Sequence, residues 1–191
     1  MEFSGKKVTV VGTGISGIGA VGLLNAVGAE VVLYDGNEKL KIEDIEKKLG
    51  TYKAEIVLGE LTKELTDSSD LLVISPGVPI DSPVVKAFEA AGVPVWGEVE
   101  LAYAFDKGKV LAITGTNGKT TTTALVGQIV GAYHKDTFVV GNIGNPYTTE
   151  VLKSNKDSYT VAEISSFQLE TVHEFHPLVS AILNITPDHL N

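Results

Sequence analysis

The sequence contains no cysteine and no arginine. Without cysteine the chain forms neither a disulfide nor a thiolate zinc site, a usage that fits a reducing compartment. All 15 basic residues are lysine, so a transferring phosphoryl group would meet no arginine side chain from this chain. The formal net charge of −9 argues against a nucleic-acid-binding surface.

Long hydrophobic runs are also missing. Residues 1–7 lead straight into the first predicted strand, and no stretch is apolar enough for a transmembrane helix. We therefore expect no signal peptide and no membrane span, and a cytoplasmic protein. The 191 residues are 43% hydrophobic and 20% charged, which is ordinary for one or two globular domains.

The most informative stretch that is present is Gly115-Thr-Asn-Gly-Lys-Thr. It follows an apolar run at 110–113, predicted to be a strand, and precedes a helical pattern at 121–130. Amide groups of such a turn, together with the positive end of the helix, stabilise an anion. Lys119 would add a full charge at the terminal phosphates, and the Thr120 hydroxyl would ligate Mg²⁺. The predicted ATP-binding residues are Gly115, Thr116, Asn117, Gly118, Lys119, Thr120 and Thr121.

This stretch departs from the general P-loop pattern at one position. That pattern has glycine five residues before Gly118, where this sequence has Ile113. The alternative interpretation is an ordinary glycine loop closed by a lysine.

A second glycine motif, Gly12-Thr-Gly-Ile-Ser-Gly17, stands near the N-terminus. It follows a β-branched run at 7–11 and opens an apolar helix, and the next predicted strand ends at Asp35. This arrangement is typical of dinucleotide-binding folds, in which glycines approach a diphosphate and the acid accepts from a ribose or base. Taken alone it indicates NAD. The alternative for Asp35 is a turn residue in Asp-Gly-Asn.

Alternating strands and helices predict an α/β protein. We expect a Rossmann-like, doubly wound parallel sheet over residues 1–95 and part of a P-loop ATPase-type α/β domain over 96–191. Ser75-Pro-Gly77 follows a buried strand, at the edge where such sheets bind ligands. A plain proline–glycine turn is the alternative there.

Polar residues follow the predicted strands of the second unit as well. The residues expected to approach Lys119 at one edge of the sheet are Asn142, Glu163, Ser165, Asp188 and His189. A carboxylate such as Glu163 is costly at the end of an apolar strand unless a positive group compensates it. Nucleotide-bound Mg²⁺ would do so, and pairing with a lysine is the alternative.

These motifs together resemble the Mur ligase family. The resemblance is carried by Gly115-Thr-Asn-Gly-Lys-Thr, Gly141-Asn-Ile-Gly, Glu163-Ile-Ser-Ser-Phe-Gln-Leu-Glu and Asn184-Ile-Thr-Pro-Asp-His-Leu, and it runs along the whole chain. It implies an ATP-dependent ligase of peptidoglycan synthesis that passes through an acyl phosphate. The Ser-Ser-Phe-Gln-Leu-Glu form is similar to the members that add D-glutamate to UDP-N-acetylmuramoyl-L-alanine.

The resemblance also implies roles for individual residues. It implies that the catalytic residues are Lys119, His189, Asn142 and Ser165, and that the magnesium ligands are Thr120, Glu163 and His189. It implies that the UDP-sugar is bound by Gly14, Ile15, Ser16, Asp35, Ser75, Gly77, Asn142 and His189. The sequence departs from the family pattern at Gly36 and Asn37, where some relatives carry larger hydrogen-bonding or basic groups near the uracil.

Three further expectations complete the sequence-based interpretation. Mur ligases have three domains, so we expect this chain to carry the N-terminal and part of the central domain and not to catalyse ligation alone. The whole protein is expected to be a monomer. The competing hypotheses are an NAD-dependent oxidoreductase fused to a nucleotide-binding module, and a non-catalytic nucleotide-binding module.

Overall fold

Two parallel sheets form from the apolar runs of the sequence in the computed structural model, which describes residues 2–187. The strands are β1 (Lys7–Val11), β2 (Glu30–Asp35), β3 (Glu55–Leu58), β4 (Leu71–Ile74), β5 (Val95–Gly97), β6 (Lys109–Thr114), β7 (Thr137–Gly141), β8 (Tyr159–Glu163) and β9 (Val179–Ile182). The helices are α1 (Ile15–Ala26), α2 (Ile42–Leu49), α3 (Lys63–Ser68), α4 (Pro83–Ala90), α5 (Glu98–Tyr103), α6 (Lys119–Tyr133), α7 (Tyr147–Glu150) and α8 (Ser166–Leu169), with a 3₁₀ turn at Val151–Lys153.

The first sheet has the strand order β3-β2-β1-β4-β5, and every pairing is parallel. All four residues of β4 are buried, because helices cover both faces of the sheet. The order reverses beside β1, so the loops that follow β1 and β4 flank a crevice at the carboxyl edge. These loops contain residues 12–14, which lead into the first turn of α1, and Ser75.

The second sheet has the order β7-β8-β6-β9 within residues 2–187, again with parallel pairing throughout. Its register pairs Ile113 with Glu163 and Thr114 with Ile182. The ends of β8 and β9 therefore lie on either side of the loop that follows β6. The predicted α/β fold with parallel sheets is confirmed.

The two sheets share a hydrophobic core. One buried cluster contains Val8 and Ala20 from the first unit together with Val110, Tyr147 and Ile164 from the second. The predicted boundary between residues 95 and 96 falls inside β5, which pairs with β4 as far as Gly97. The division into two domains at that point stays a prediction.

Helix α1 of the first unit packs against α7 of the second. A Cβ built on Gly19 of α1 would lie 2.7 Å from Thr148 Oγ1 and 3.0 Å from Thr149 Cγ2. Beside this contact, Glu98 of α5 is buried and accepts hydrogen bonds from Thr148 N at 2.8 Å and Thr148 Oγ1 at 3.1 Å. The first unit therefore packs directly against the second at Gly19.

Helix α2 begins at Ile42, and ahead of it Asn37 Oδ1 accepts from Lys39 N, which holds the residues after β2 in a turn. No helix within residues 2–187 is long and apolar enough to cross a membrane.

Candidate functional site

The loop between β6 and α6 has a backbone that requires glycine. Gly118 adopts φ 84° and begins α6 as its N-cap, a left-handed conformation that other residues rarely adopt. Gly115 has φ 137°, and a Cβ there would lie 3.0 Å from Asn184 O. The predicted residues Thr120 and Thr121 are exposed in the first turn of α6. The amide end of this helix therefore faces solvent, as an anion site needs.

Asn184 holds this loop in place. Its side chain accepts from Asn117 N at 2.9 Å and donates to Asn117 O at 2.9 Å. Its carbonyl accepts from Thr116 N at 3.1 Å. Sequence reasoning did not select Asn184 as a site residue, although its place just after β9 was an available signal.

Lys119 folds back over the loop. Its ammonium donates to Gly115 O at 2.8 Å and Thr116 O at 3.0 Å. Within residues 2–187 it makes no ion pair with a carboxylate. The charge is therefore available to an incoming anion at the cost of two hydrogen bonds to neutral carbonyls.

Glu163 is buried beside the loop and is only half satisfied. Its Oε1 accepts from Asn142 Nδ2 at 3.0 Å, whereas Oε2 is buried with no hydrogen-bond partner among the described residues. A Cβ on Gly141 would lie 2.2 Å from Glu163 O, so glycine is needed where β7 meets β8. A buried carboxylate oxygen without a partner is unfavourable unless a cation approaches it. The alternative interpretation, a lysine paired with Glu163, finds no such ion pair among residues 2–187.

These features fit a magnesium ion held jointly with a nucleotide rather than by protein alone. Within residues 2–187 no three His, Cys, Asp or Glu residues cluster as metal ligands. Glu163 Oε2 and the Thr120 hydroxyl are hard oxygen donors, and Mg²⁺ usually takes one or two protein oxygens plus phosphates and waters.

A cavity of about 720 Å³ brings several predicted residues together. Its lining includes Gly115, Thr116, Lys119, Asn142 and Ser165 of the second unit and Gly77 of the first. Ser165 also caps α8, because Ser165 Oγ accepts from Gln168 N and Ser165 N donates to Gln168 Oε1. The P-loop and the Ser75-Pro-Gly turn thus face one space.

A second cavity, of about 600 Å³, continues from this space along the Ser75 turn. Both cavities are lined by Pro76, Gly77 and Phe167. Ser75 lines the second one, and its Oγ is buried with no hydrogen-bond partner among the described residues. A cleft with an unused hydroxyl therefore runs from the first unit to Lys119.

Neighbouring atoms leave no room for a side chain at two glycines of the first motif, Gly12 and Gly17. A Cβ on Gly17 would lie 1.9 Å from Gly12 O, and one on Gly12 would lie 2.8 Å from Ser75 Oγ. Gly14 has open space around it, Ile15 is 79% exposed and Ser16 is half-buried. Gly14 caps α1 without a side-chain hydrogen bond, which leaves the first amides of the helix open to a ligand.

Asp35 stands beside this first loop and not in the large cavity. Its Oδ2 accepts from Thr13 N at 3.3 Å and Thr13 Oγ1 at 3.0 Å, and its Oδ1 accepts from Asn37 N at 3.1 Å. The last bond is the turn interaction that was the alternative explanation for Asp35, so this carboxylate orders its own turn as well as the glycine loop. Asp188 and His189 lie outside the described residues.

Two family models match successive parts of the chain. The N-terminal domain of MurD-like Mur ligases matches residues 6–97, and the Mur ligase middle domain matches residues 113–191.

Two curated relatives illustrate the similarity in sequence. The UDP-N-acetylmuramoylalanine–D-glutamate ligase of Lachnospira eligens is 72% identical over 191 residues, and that of Lachnoclostridium phytofermentans is 60% identical over 192 residues. Each alignment covers 100% of this chain and 42% of the relative, so the chain spans less than half the length of these relatives.

Solved structures agree at the level of the fold. The UDP-N-acetylmuramate:L-alanyl-γ-D-glutamyl-meso-diaminopimelate ligase from Neisseria meningitides is 19% identical with a TM-score of 0.59, over 98% of this chain and 63% of that protein. A murein peptide ligase from Psychrobacter arcticus is also 19% identical, with a TM-score of 0.55 over 96% of this chain and 44% of that protein.

Proposed function

We propose a function from the premise that this chain belongs to the Mur ligase family, two of whose domain models it matches in succession. It would supply the UDP-sugar site and part of the ATP site of a ligase that joins D-glutamate to UDP-N-acetylmuramoyl-L-alanine in peptidoglycan synthesis. The observation that carries the proposal is the cleft in which Gly77 of the first unit and Lys119 of the P-loop line one cavity.

The reaction would take place in two steps. A carboxylate oxygen of the UDP-sugar attacks the γ-phosphorus of ATP, and ADP leaves. The amine of D-glutamate then attacks the acyl carbon, inorganic phosphate leaves with the acyl oxygen, and the amine loses a proton. Both reactants of the first step are anions, so the site must offset their repulsion.

Lys119 would supply the cation for that first step. Its ammonium exchanges Gly115 O and Thr116 O for phosphate oxygens, and the amides at the start of α6 bind the same group. No arginine exists in the chain to share this task. Asn142 and Ser165 line the same cavity and would position the UDP-sugar.

Magnesium, when bound, would neutralise developing charge on the phosphates. Thr120 and Glu163 would hold it, with Glu163 Oε2 gaining the partner that it lacks. Asn142 keeps the other oxygen of Glu163 fixed, which orients the free one. His189, outside the described residues, is proposed as a further metal ligand from the resemblance alone.

The first unit, residues 1–95, would hold the uridine diphosphate. The open amides after Gly14 and the unpartnered Ser75 Oγ suit a diphosphate, and Asp35 suits a hydrogen-bond donor on the base or ribose. Residues 96–191 would hold ATP. The NAD-dependent oxidoreductase finds no support among these relatives, which are ligases by name.

Calorimetric titration of the purified chain with UDP-N-acetylmuramoyl-L-alanine, NAD and Mg-ATP tests the proposal. We expect binding of the UDP-sugar, magnesium-dependent binding of ATP and no binding of NAD. In the presence of Mg²⁺, Glu163→Gln should bind ATP about tenfold more weakly than wild type does, since the substitution removes one charged metal ligand. Tight NAD binding with no response to the UDP-sugar would refute the function.

A further inference from the structure

Lys48 reaches the first glycine loop from a distant part of the sequence. It stands in the last turn of α2, and its ammonium donates to Thr13 O at 3.3 Å across 35 residues. Among residues 2–187 it forms no ion pair with a carboxylate. Its neighbour Lys47 behaves differently, since Lys47 Nζ lies 3.1 Å from Asp44 Oδ1 on the exposed side of the same helix.

Thr13 connects this cation to Asp35. The Thr13 amide and hydroxyl both donate to Asp35 Oδ2, while the Thr13 carbonyl accepts from Lys48. A full negative and a full positive charge therefore flank one buried residue at the mouth of the loop. The ammonium has three donors, so a ligand can bind without displacing the bond to Thr13.

The two residues directly after Asp35 are uncharged. Gly36 has no side chain, and Asn37 Oδ1 is occupied by Lys39 N. With no arginine in the chain, a permanently charged basic group beside Asp35 has to be a lysine. Lys48 of α2 is the lysine whose ammonium the structure holds on this loop.

We infer that Lys48 and Asp35 together select uracil over cytosine in the nucleoside diphosphate bound at the first loop, an inference that rests on the proposed function. Uracil offers an N3–H donor beside its O4 acceptor, whereas cytosine offers an amino donor at position 4. A lone carboxylate accepts from either base. An ammonium beside it binds O4 of uracil and opposes the amino group of cytosine, so Lys48 supplies the discrimination.

Ile15 completes the surface for a base. It follows Gly14 directly, and its side chain is 79% exposed beside the loop that Asp35 and Lys48 flank. An exposed apolar side chain next to an acceptor and a donor offers contact to a flat base, whose edge the two charges bind.

Titration of UDP and CDP into wild type, Lys48→Met and Lys47→Met tests the inference. Methionine keeps most of the apolar stem and removes the charge, and both lysines are exposed, so all three proteins should fold alike. We expect wild type and Lys47→Met to prefer UDP. Lys48→Met should bind UDP about tenfold more weakly with CDP affinity unchanged, as expected for one charged hydrogen bond. Lys48→Arg should keep the preference because it keeps the donors.

Other outcomes separate this inference from the function on which it rests. If Lys48→Met matches Lys47→Met, or loses UDP and CDP affinity equally, the base-selecting role is overturned while UDP-sugar binding stands. If wild type binds neither UDP nor UDP-N-acetylmuramoyl-L-alanine, the proposed function fails and the inference fails with it.

Discussion

The chain contains the same backbone plan twice. Each glycine loop leaves the central strand of a parallel sheet and starts a helix that has no side-chain N-cap. The first loop needs glycine because Gly17 packs against Gly12 O, whereas the second needs it for the left-handed turn at Gly118. Two different steric demands thus produce one arrangement of open amides.

The side chains around the two loops differ in charge and in hydrogen bonding. An acid ends the neighbouring strand in both cases. Asp35 has partners on both oxygens, whereas Glu163 has one buried oxygen without a hydrogen-bond partner in the part of the chain that the structure describes. Lys119 lies within the second loop, whereas Lys48 reaches the first loop from α2. The backbone leaves amides open at both loops, and under the proposed function these side chains would fit the first loop to a uridine nucleotide and the second to a metal-bound triphosphate.

The largest effect should come from the packing difference between glycines of the first loop. A Cβ at position 17 would lie 1.9 Å from a backbone oxygen, so Gly17→Ala must move the chain. We expect a loss of about 3 kcal/mol in the free energy of unfolding, at the upper end for overpacking. Gly14→Ala, where nothing lies within 4 Å, should cost little. Urea denaturation of both variants measures the difference, and equal losses would refute the packing explanation.

The next effect should separate the loops by ligand. Lys119→Ala removes the only lysine that lines the large cavity within residues 2–187. We expect Mg-ATP to bind about 30-fold more weakly, from about 2 kcal/mol for a charged hydrogen bond, and UDP-sugar affinity to stay unchanged. Lys135→Ala, at an exposed position, is the matched charge control. Weaker binding of both ligands to Lys119→Ala would show that the two sites are not independent.

Local sequence patterns predicted the elements that carry both loops. Strands β1 and β6 were predicted from the runs at 7–11 and 110–113, and α6 was predicted from the helical pattern at 121–130. Glu163 was singled out because a carboxylate ends an apolar strand, and the structure finds it buried. These inferences needed only a few neighbouring residues.

Contacts between distant elements were beyond such patterns. Lys48 and Asn184 act on loops 35 and 67 residues away, and nothing near them in the sequence announces it. The four-residue helix α7 is too short for a periodic signal, yet it joins the two units. His189 lies outside the described residues, so its predicted roles stay predictions.

The smallest expected effect concerns Glu98, which lies beside the contact between the two units that carry these loops. Glu98 is buried against the start of α7, and burial raises the pKa of its carboxyl above the ordinary 4.5, although hydrogen bonds from Thr148 and the Tyr147 amide oppose the change. Asp106 and Glu98 lie near Tyr147, and burial together with these acids raises the pKa of the Tyr147 hydroxyl. The folded state therefore binds the Glu98 proton more tightly than the unfolded chain does.

Glu98→Gln isolates this cost, because glutamine keeps an oxygen for the bonds from Thr148 and removes the charge. With a raised folded pKa, Glu98 should favour folding most below pH 4.5 and lose that contribution as pH rises through the folded value. The wild type should therefore lose stability relative to Glu98→Gln between pH 4 and pH 8. Urea unfolding followed by Trp96 fluorescence and by far-ultraviolet circular dichroism measures the difference, and a gap that does not change with pH would refute it. If both probes follow one transition in each protein, the two units unfold together across this contact.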